Sequence, residues 1–527
     1  MTKSQISLSS AIFSLRLLEK SFSSLSCIDT QEDKKIAEII TSKMLVLQFM
    51  TSKILTIDQG TTSSRSIIFD LKGKIQQVAQ KEYPLIYPKN GWVEINPNEI
   101  INSVVHTLSK IDLNGVVACG ITNQRETTLI WDKETGKPIY NAIVWQDRRT
   151  TDICSNYKDH ESMIQSKTGL VLDPYFSATK IRWILDNVKD AQLRAEAGQL
   201  CFGTVDSFLM FHLSKGMIHK TDFTNASRTM LFNINNLDWD EDLLKLFNIP
   251  RKLLPSVHKC DHEFGTAPLL NNITINGVLG DQQSAMFGQG CLSVGSSKST
   301  YGTGCFLMCN IGETVKISQD GLLTTVAFNV GDKIYYALEG SIYSAGTIVQ
   351  WLRDNLQFFS KSSDSEIYLK DTGDSNEVLF IPAFNGLGAP YWNSKIRASF
   401  HNITRDTTRA DLITAAFNSI IYQTKDILSA FENVNLKINE LKVDGGMVEN
   451  KTFVTNLTNL LNIVVKVPEN KECTALGAAL MAAIGKKLIG LSDLKEQTFE
   501  EINPHNSKIN ENLYKNWSEV VSRLIKE

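Results

Sequence analysis

From Lys53 onward the chain settles into short apolar runs separated by polar turns. Ile54-Leu55-Thr56-Ile57 is apolar, Asp58-Gln59-Gly60-Thr61-Thr62-Ser63-Ser64 is turn chemistry, and Arg65-Ser66-Ile67-Ile68-Phe69 is apolar again. That pattern predicts strand, glycine turn, strand. The device returns about half a chain later, where Lys298-Ser299-Thr300-Tyr301 leads through Gly302-Thr303-Gly304 into Cys305-Phe306-Leu307-Met308-Cys309. Val116 to Thr122 and Thr127 to Trp131 read as strands, and Thr408 to Phe431 and Thr474 to Ala483 as helices. Leu441 to Met447 reads as a strand ending in Gly445-Gly446, followed by a helix over Asn450 to Leu461 and a strand over Ile463 to Val467. The mixture predicts an α/β protein, and the paired turns predict two related halves closing on one ligand.

A hairpin turn rich in hydroxyls, with one Gly and one Asp, presents backbone N–H groups and side-chain oxygens together. Such a turn suits phosphate and a hydrated cation. The familiar nucleotide motifs are missing. Gly290-Cys291-Leu292-Ser293-Val294-Gly295 is the nearest approach to a Walker loop, but Ser296 stands where the lysine is needed. No GxGxxG follows a strand, so a dinucleotide site is not supported.

Three polar islands interrupt apolar flanks: Thr122-Asn123-Gln124-Arg125-Glu126-Thr127, Trp145-Gln146-Asp147-Arg148-Arg149, and Gly280-Asp281-Gln282-Gln283. Taken singly, each reads as a solvated loop with ordinary ion pairs. Together with two phosphate-suited turns they point to a kinase for a ligand with several hydroxyls. Carboxylates accept from hydroxyls and arginine donates to them, so a polyol can be held by both its donors and its acceptors. Asp281 is the candidate base. Phosphoryl transfer needs positioning, charge neutralisation and one carboxylate to take the hydroxyl proton late, and a carboxylate with an ordinary pKa near ~4 serves.

Composition narrows the class. Of 527 residues, 42% are apolar and 21% charged, with a formal net charge of −3, which gives no sign of a nucleic-acid partner. Nine cysteines without a CxxC pair read as reduced thiols of a cytosol-like compartment. His258-Lys259-Cys260-Asp261-His262 reads as a solvated loop, because a second ligand cluster at zinc-like spacing is missing. No apolar run approaches a membrane span, so a soluble, cytoplasmic protein is expected. Residues 1–52 form an N-terminal extension. It is serine-rich and acid-poor, with Leu8, Ile12, Leu15, Leu18, Phe22 and Leu25 at helical spacing. It reads as an organellar transit peptide, as an unrelated extension, or as a translation start placed ahead of Met50.

Longer phrases add a resemblance. ITNQRETT, GLVLDPYFSATK, TDFTNASRTMLFNI, STYGTGCF and NGLGAPYW resemble the FGGY carbohydrate-kinase family, within the actin/hexokinase/Hsp70-like ATPase superfamily, and in particular its members that act on glycerol. The resemblance runs almost unbroken from Lys53 to the C-terminal region. It implies two actin-like (ribonuclease H-like) α/β domains, over residues 53–295 and 296–527, with the active site in the cleft between them. It implies ATP-dependent phosphorylation of glycerol with Mg²⁺, in a homodimer or homotetramer. Arg125, Glu126, Tyr175, Asp281 and Gln282 would hold the glycerol hydroxyls, Trp145 and Phe306 would cover its carbons, and Asp281 would be the general base. Asp58 and Asp281 would face the metal, with Thr61, Thr62, Ser63 and Arg65 near the phosphates. Thr303, Gly346, Gln350, Gly446, Met447 and Asn450 would line the nucleotide site.

Departures from the family concern regulation. Some bacterial members carry a Gly-rich, Arg-containing effector loop where this chain has Pro268-Leu269-Leu270-Asn271-Asn272-Ile273. Others carry a phosphate-accepting histidine where this chain has Asn235, and Met447 replaces a common alanine. Two rival functions remain: a sister kinase for a pentulose, gluconate or another polyol, and an ATP-binding regulator without catalysis. The Arg125-Glu126 pair and bulky Trp145 and Phe306 favour a three-carbon ligand, and the presence of both Asp58 and Asp281 argues against the regulator.

Overall fold

Two β-sheets organise the chain, and the order of the six strands of the first matches that of six of the seven in the second, the seventh being an extra edge strand. The first holds β1 (Lys53–Gln59), β2 (Ser63–Asp70), β3 (Ile75–Glu82), β4 (Val116–Asn123), β5 (Gly265–Ala267) and β6 (Ile273–Gly280), in the order β5-β6-β4-β1-β2-β3. The second holds β7 (Ser297–Tyr301), β8 (Cys305–Gly312), β9 (Leu323–Val330), β10 (Lys333–Ile342), β11 (Glu440–Asp444), β12 (Val464–Pro468) and β13 (Phe499–Ile502), in the order β9-β10-β8-β7-β11-β12-β13. In each, a glycine-turn pair (β1-β2, β7-β8) sits at the centre, and a third strand runs antiparallel to its second member. On the far side lie a parallel pair (β4-β6, β11-β12) and a short antiparallel edge strand. This repeated order is what two related halves require.

The computed structural model describes residues 52–369, 377–494, 496–505 and 511–527. Almost all of the N-terminal extension, with its targeting reading, therefore lies outside the described residues. Ile54–Glu527 make up one unit.

Local sequence explains the elements. The central strands are apolar on both faces because helices cover the sheet on both sides. Helix α1 (Pro97–Leu108) is capped by Asn96, whose side chain accepts from Asn98 N. It buries Ile100, Ser103, Val104 and Thr107, the i, i+3, i+4, i+7 stripe of an amphipathic helix. Further on come α2 (Ser177–Asn187), α3 (Asp281–Gly288), α4 (Gly346–Asp354), α5 (Arg409–Asn433), α6 (Lys451–Leu461) and α7 (Cys473–Gly485). The 25-residue α5 opens with a capping box between Thr408 and Asp411.

Helix α7 follows β12 of the second sheet, yet packs on β4, β6 and α3 of the first half. Glycines permit that approach. A Cβ on Gly120 would lie 2.3 Å from the Ala478 carbonyl oxygen, and one on Gly288 would lie 2.0 Å from that of Cys473. Any side chain at either position would push this strap away and loosen the join between the halves.

The strand expected from Thr127 starts only at Leu129. Glu126 has φ 57° and Thr127 N donates to Arg125 O at 2.6 Å, so residues 125–127 form a tight γ-type turn before pairing resumes. Among the described residues, no helix is long and apolar enough to cross a membrane, and the eight cysteines are buried free thiols.

Candidate active site

The two glycine turns face one cavity of about 720 Å³. Its floor is built from the first and third polar islands and Trp145 of the second, and most of these residues are buried or half-buried, not solvated. Arg125 and Glu126 leave the end of β4 with side chains only 1% and 2% exposed. The γ-turn directs Glu126 inward, and its carbonyl accepts from Ser177 Oγ and Thr128 Oγ1, both at 3.1 Å. The cost of a left-handed non-glycine residue, about 1–3 kcal/mol, is thus carried where a carboxylate must reach the cavity.

Two residues outside the islands lie behind this floor and hold it. Arg228 donates through Nε to Glu126 Oε1 at 2.6 Å and through an Nη to Glu339 Oε1 at 2.9 Å. Glu339 accepts a bidentate pair from Arg125 at 2.6 and 2.9 Å. Burial pushes the Glu339 carboxyl up, but Arg125 and Arg228 outweigh it and hold the group down at about 2. Burial raises Glu126, and the same two arginines offset only part of that. Removing one partner of so dry a network leaves an uncompensated charge, which costs about 3–5 kcal/mol.

Asp281 opens α3 beside this pair, with Oδ1 3.4 Å from Arg125 Nε. A Cβ on Gly280 would lie 2.8 Å from Arg125 Cδ, so glycine there lets the arginine pass. The Asp281 carboxylate accepts from Gln282 N at 2.7 Å. Burial raises its pKa, against the pull of Arg125 and Lys298. The ordinary value assumed from sequence is therefore shifted towards a stronger base. Lys298 lies fully buried, donating to Gln282 Oε1 at 2.5 Å and Thr300 Oγ1 at 3.0 Å.

Aromatic rings wall the same end. Trp145 meets Tyr175 edge-on at 5.9 Å and Phe306 at 5.7 Å, and the Arg125 guanidinium lies 5.6 Å from the Phe306 centroid. Trp145 Nε1 donates to Thr61 Oγ1 at 3.0 Å, tying the wall to the first glycine turn. Tyr175 is fixed by Lys180, whose Nζ donates to its carbonyl at 2.5 Å, and by Asp173, which accepts from its N–H at 2.8 Å. Apolar ring faces with hydroxyl-seeking groups beneath them suit a short polyol.

Towards the mouth, glycine turns bring backbone into the lining beside charged side chains such as Lys451 and Lys471. Gly302, Thr303, Gly446 and Glu449 line both this cavity and an adjoining one of about 340 Å³. The second cavity takes in Gly346, Gln350, Met447 and Asn450. Gly445 has φ 96°, and a Cβ there would lie 2.4 Å from Tyr301 O, whereas a Cβ on Gly446 would meet nothing within 4 Å. The first glycine is thus fixed by folding, and the second keeps ligand space open. Asn450 caps α6, its Oδ1 accepting from Phe453 N at 2.9 Å.

Between floor and mouth sits an acidic group. Burial, with help from Glu472 and Asp281 and against Arg65, pushes the Asp58 carboxyl up to about 6. Arg65 pairs with Glu472 at 2.6 Å. Oxygen donors that repel one another suit a hard divalent cation. Among the described residues no cage of three or more metal-binding side chains exists. A cation at Asp58 and Asp281 would keep most of its water, as Mg²⁺ does.

The sequence-named residues distribute unevenly. All seven polyol candidates line the larger cavity, as do Asp58, Thr61, Arg65, Thr303 and Gly446. Thr62 and Ser63 line neither cavity, and Ser63 Oγ instead accepts from Gln80 at 3.3 Å. Of the second island only Trp145 reaches the cavity, while Arg148 pairs with Asp173 and Arg149 with Glu94 and Asp147. Arg228, Glu339 and Lys298 have no place among the sequence-named site residues. Their one signal was a charge inside an otherwise apolar strand or a small-residue run.

Two sheets that share a six-strand order around a cavity with a polyol-suited floor and a phosphate-suited mouth define a small-molecule phosphotransferase. The model of the FGGY family of carbohydrate kinases, N-terminal domain, matches residues 53–288, and that of its C-terminal domain residues 298–485. The chain belongs to this family and has its two-domain, actin- and hexokinase-like fold. Among curated relatives it is 46% identical over 487 residues to the glycerol kinase of Xanthomonas campestris, covering 89% of this chain and 97% of that one. It is 47% identical over 491 residues to glycerol kinase 2 of Thermotoga maritima, covering 90% and 98%. Among solved structures, the glycerol kinase of Plasmodium falciparum with ADP superposes with a TM-score of 0.79 at 35% identity, covering 90% of this chain and 98% of that one. A xylulose kinase of Lactobacillus acidophilus reaches the same TM-score at 21% identity, with the same coverage, a likeness of fold alone.

Proposed function

We infer that this chain is an ATP-dependent glycerol kinase, an alcohol phosphotransferase forming sn-glycerol 3-phosphate. The observation that carries the reading is the closed polyol end: Arg125, Glu126, Asp281 and Gln282 beneath the rings of Trp145, Tyr175 and Phe306. Three bulky rings around these polar groups favour a short carbon chain over a longer one. The relatives called glycerol kinase support the choice of glycerol.

In the proposed mechanism, residues 53–295 hold the polyol and residues 296–527 the nucleotide. Arg125 donates to two hydroxyls that Glu126 and Asp281 polarise as acceptors. The third hydroxyl, next to Asp281, points to the mouth, where the turns at Gly60–Thr61 and Gly302–Gly304 receive the phosphates through backbone N–H groups. Asp281 takes the hydroxyl proton as the new O–P bond forms and the bond to the ADP oxygen breaks. Arg65 neutralises charge developing on the transferred group. Asp58 and Asp281 would hold Mg²⁺, which would supply charge neutralisation of the β- and γ-phosphates. Closure of the two halves excludes water, so that the polyol oxygen and not hydroxide accepts the phosphoryl group.

The test is an ADP-release assay with Mg-ATP, comparing glycerol with xylulose, ribulose, gluconate and erythritol and identifying the product. Turnover with glycerol to glycerol 3-phosphate is expected. Turnover with a ketose alone would replace the substrate, and ATP binding without turnover on any of them would favour the non-catalytic regulator.

A further inference from the structure

Glu339 and Arg228 line neither cavity, yet they are among the most deeply buried charges in the chain, both at 0% side-chain exposure. Glu339 sits in β10, in the interior of the second sheet, between Met308 of β8 and Leu323 of β9. Its carboxylate crosses to the first half and engages Arg125 with two parallel bonds and Arg228 with a third. Arg228 in turn grips Glu126. Ser341 Oγ donates to Glu339 Oε1 at 3.0 Å, so the carboxylate is fixed from its own strand. The surrounding join is tight. Ser227 and Thr325 hydroxyls meet at 2.9 Å, and Thr324 N donates to Gly169 O at 2.8 Å.

A carboxylate in this place has two readings. As a structural ion pair it would secure the join between the halves and nothing more. Its geometry is more specific than that. Both oxygens are spent on the arginine that faces the cavity, and the bidentate fork fixes the plane of the guanidinium as well as its position. The remaining bond reaches, through one arginine, a second charged polyol-facing group, Glu126. A join alone would not need to pass through both.

We propose that Glu339 is a positioning residue for the polyol site: a carboxylate of the second half that sets the orientation of Arg125 and, through Arg228, of Glu126, without touching substrate. The polyol end is thereby assembled from both halves, although only the first half presents the polar side chains. The inference rests on the polyol-kinase reading and deepens it by making polyol affinity depend on contact between the halves at the cleft floor.

The experiment compares full-length wild type with Glu339→Gln, Glu339→Asp and Arg228→Lys in steady-state kinetics. It varies ATP and polyol separately, on whichever polyol the wild type phosphorylates, with thermal melts of each variant alongside. Glu339→Gln keeps the shape but loses the charge, and it is expected to raise the polyol KM on the order of 30-fold. The KM for ATP should stay within about twofold. Arg228→Lys keeps the charge but loses the planar fork that holds Glu126 and Glu339 in fixed orientation, and should raise the polyol KM about 10-fold. Combined with Glu126→Gln, Glu339→Gln should add less than the sum of the two effects, because both act through the same arginines. Folded variants whose polyol KM equals that of wild type would overturn the proposal. So would a KM that rises equally for polyol and ATP as the melting temperature falls, which is the signature of a purely structural pair. If Glu339→Gln fails to fold, Arg228→Lys carries the same test. A wild type that phosphorylates a ketose and not glycerol would sink the glycerol assignment while leaving this comparison readable.

Discussion

At the floor of the cleft the ligand-facing groups are side chains: Arg125 and Glu126 in a buried four-charge network, under three aromatic rings. At the mouth glycine turns around Gly302–Gly304 and Gly445–Gly446 bring backbone to the cavity among more exposed charged side chains such as Lys451, Lys471 and Glu472, and α4 and the α6 cap Asn450 line the adjoining cavity. The difference suits the proposed ligands. A small polyol offers only hydroxyls and a few C–H groups, so selecting it takes aimed donors and acceptors in a dry site, where each is worth more. A nucleotide offers a polyphosphate and a broad flat base, which glycine turns can cradle by close approach. Substitutions at the floor should therefore act on chemistry and polyol affinity, and substitutions at the mouth on nucleotide affinity and local backbone fit.

The largest effect belongs to the proposed base. Asp281→Asn should fold and bind polyol yet lower kcat about 10³-fold, read by single-turnover phosphoryl transfer. Turnover near that of wild type would remove Asp281 from its role. Next is Glu126→Gln, which should raise the glycerol KM about 30-fold while leaving the ATP KM within about threefold, measured in the same assay.

At the mouth, two adjacent glycines should behave differently. Gly445→Ala is strained at φ 96° and clashes with Tyr301 O, so it should destabilise by about 1–3 kcal/mol, seen in the denaturation midpoint. Gly446→Ala meets open space. It should leave that midpoint unchanged and raise the ATP KM about fivefold.

The smallest effect is a pH shift. With Asp58 titrating at about 6, activity should fall as pH drops below 6. Raising Mg²⁺ should move that limb to lower pH, because a cation favours the charged form. The sign for stability is opposite. A raised carboxylate destabilises the fold fully above pH 6, and the cost is relieved as pH falls from 6 towards the ordinary value. Asp58→Asn should accordingly melt about 2–4 °C higher at pH 8 while losing activity.

Much of this was legible in sequence, for local reasons. The paired glycine turns, the strand before Gly445 and the helices near 409–433 and 473–485 are written in contiguous runs, where periodicity and turn chemistry speak directly. Arg125, Glu126, Asp281 and Gln282 stood out as polar breaks at strand ends. Arg228 and Glu339 did not, because their meaning lies in pairings across 102 to 214 positions that only tertiary structure creates. The γ-turn at Glu126 was hidden for a related reason. Its left-handed residue is imposed by the buried partners of its side chain and carbonyl, not by a glycine that the eye can find. The crossing of α7 onto the first sheet was equally silent, since glycines at 120, 277 and 288 read as ordinary strand and helix interruptions until a second element lies against them.

The contrast between floor and mouth is tested most directly by titrating glycerol calorimetrically into the nucleotide-free protein. Side chains already locked by Glu339, Arg228 and Thr61 should bind glycerol saturably at one site with no nucleotide present, and should bind xylulose far more weakly. Absence of glycerol binding until a nucleotide is added, or tighter binding of the ketose, would contradict the account.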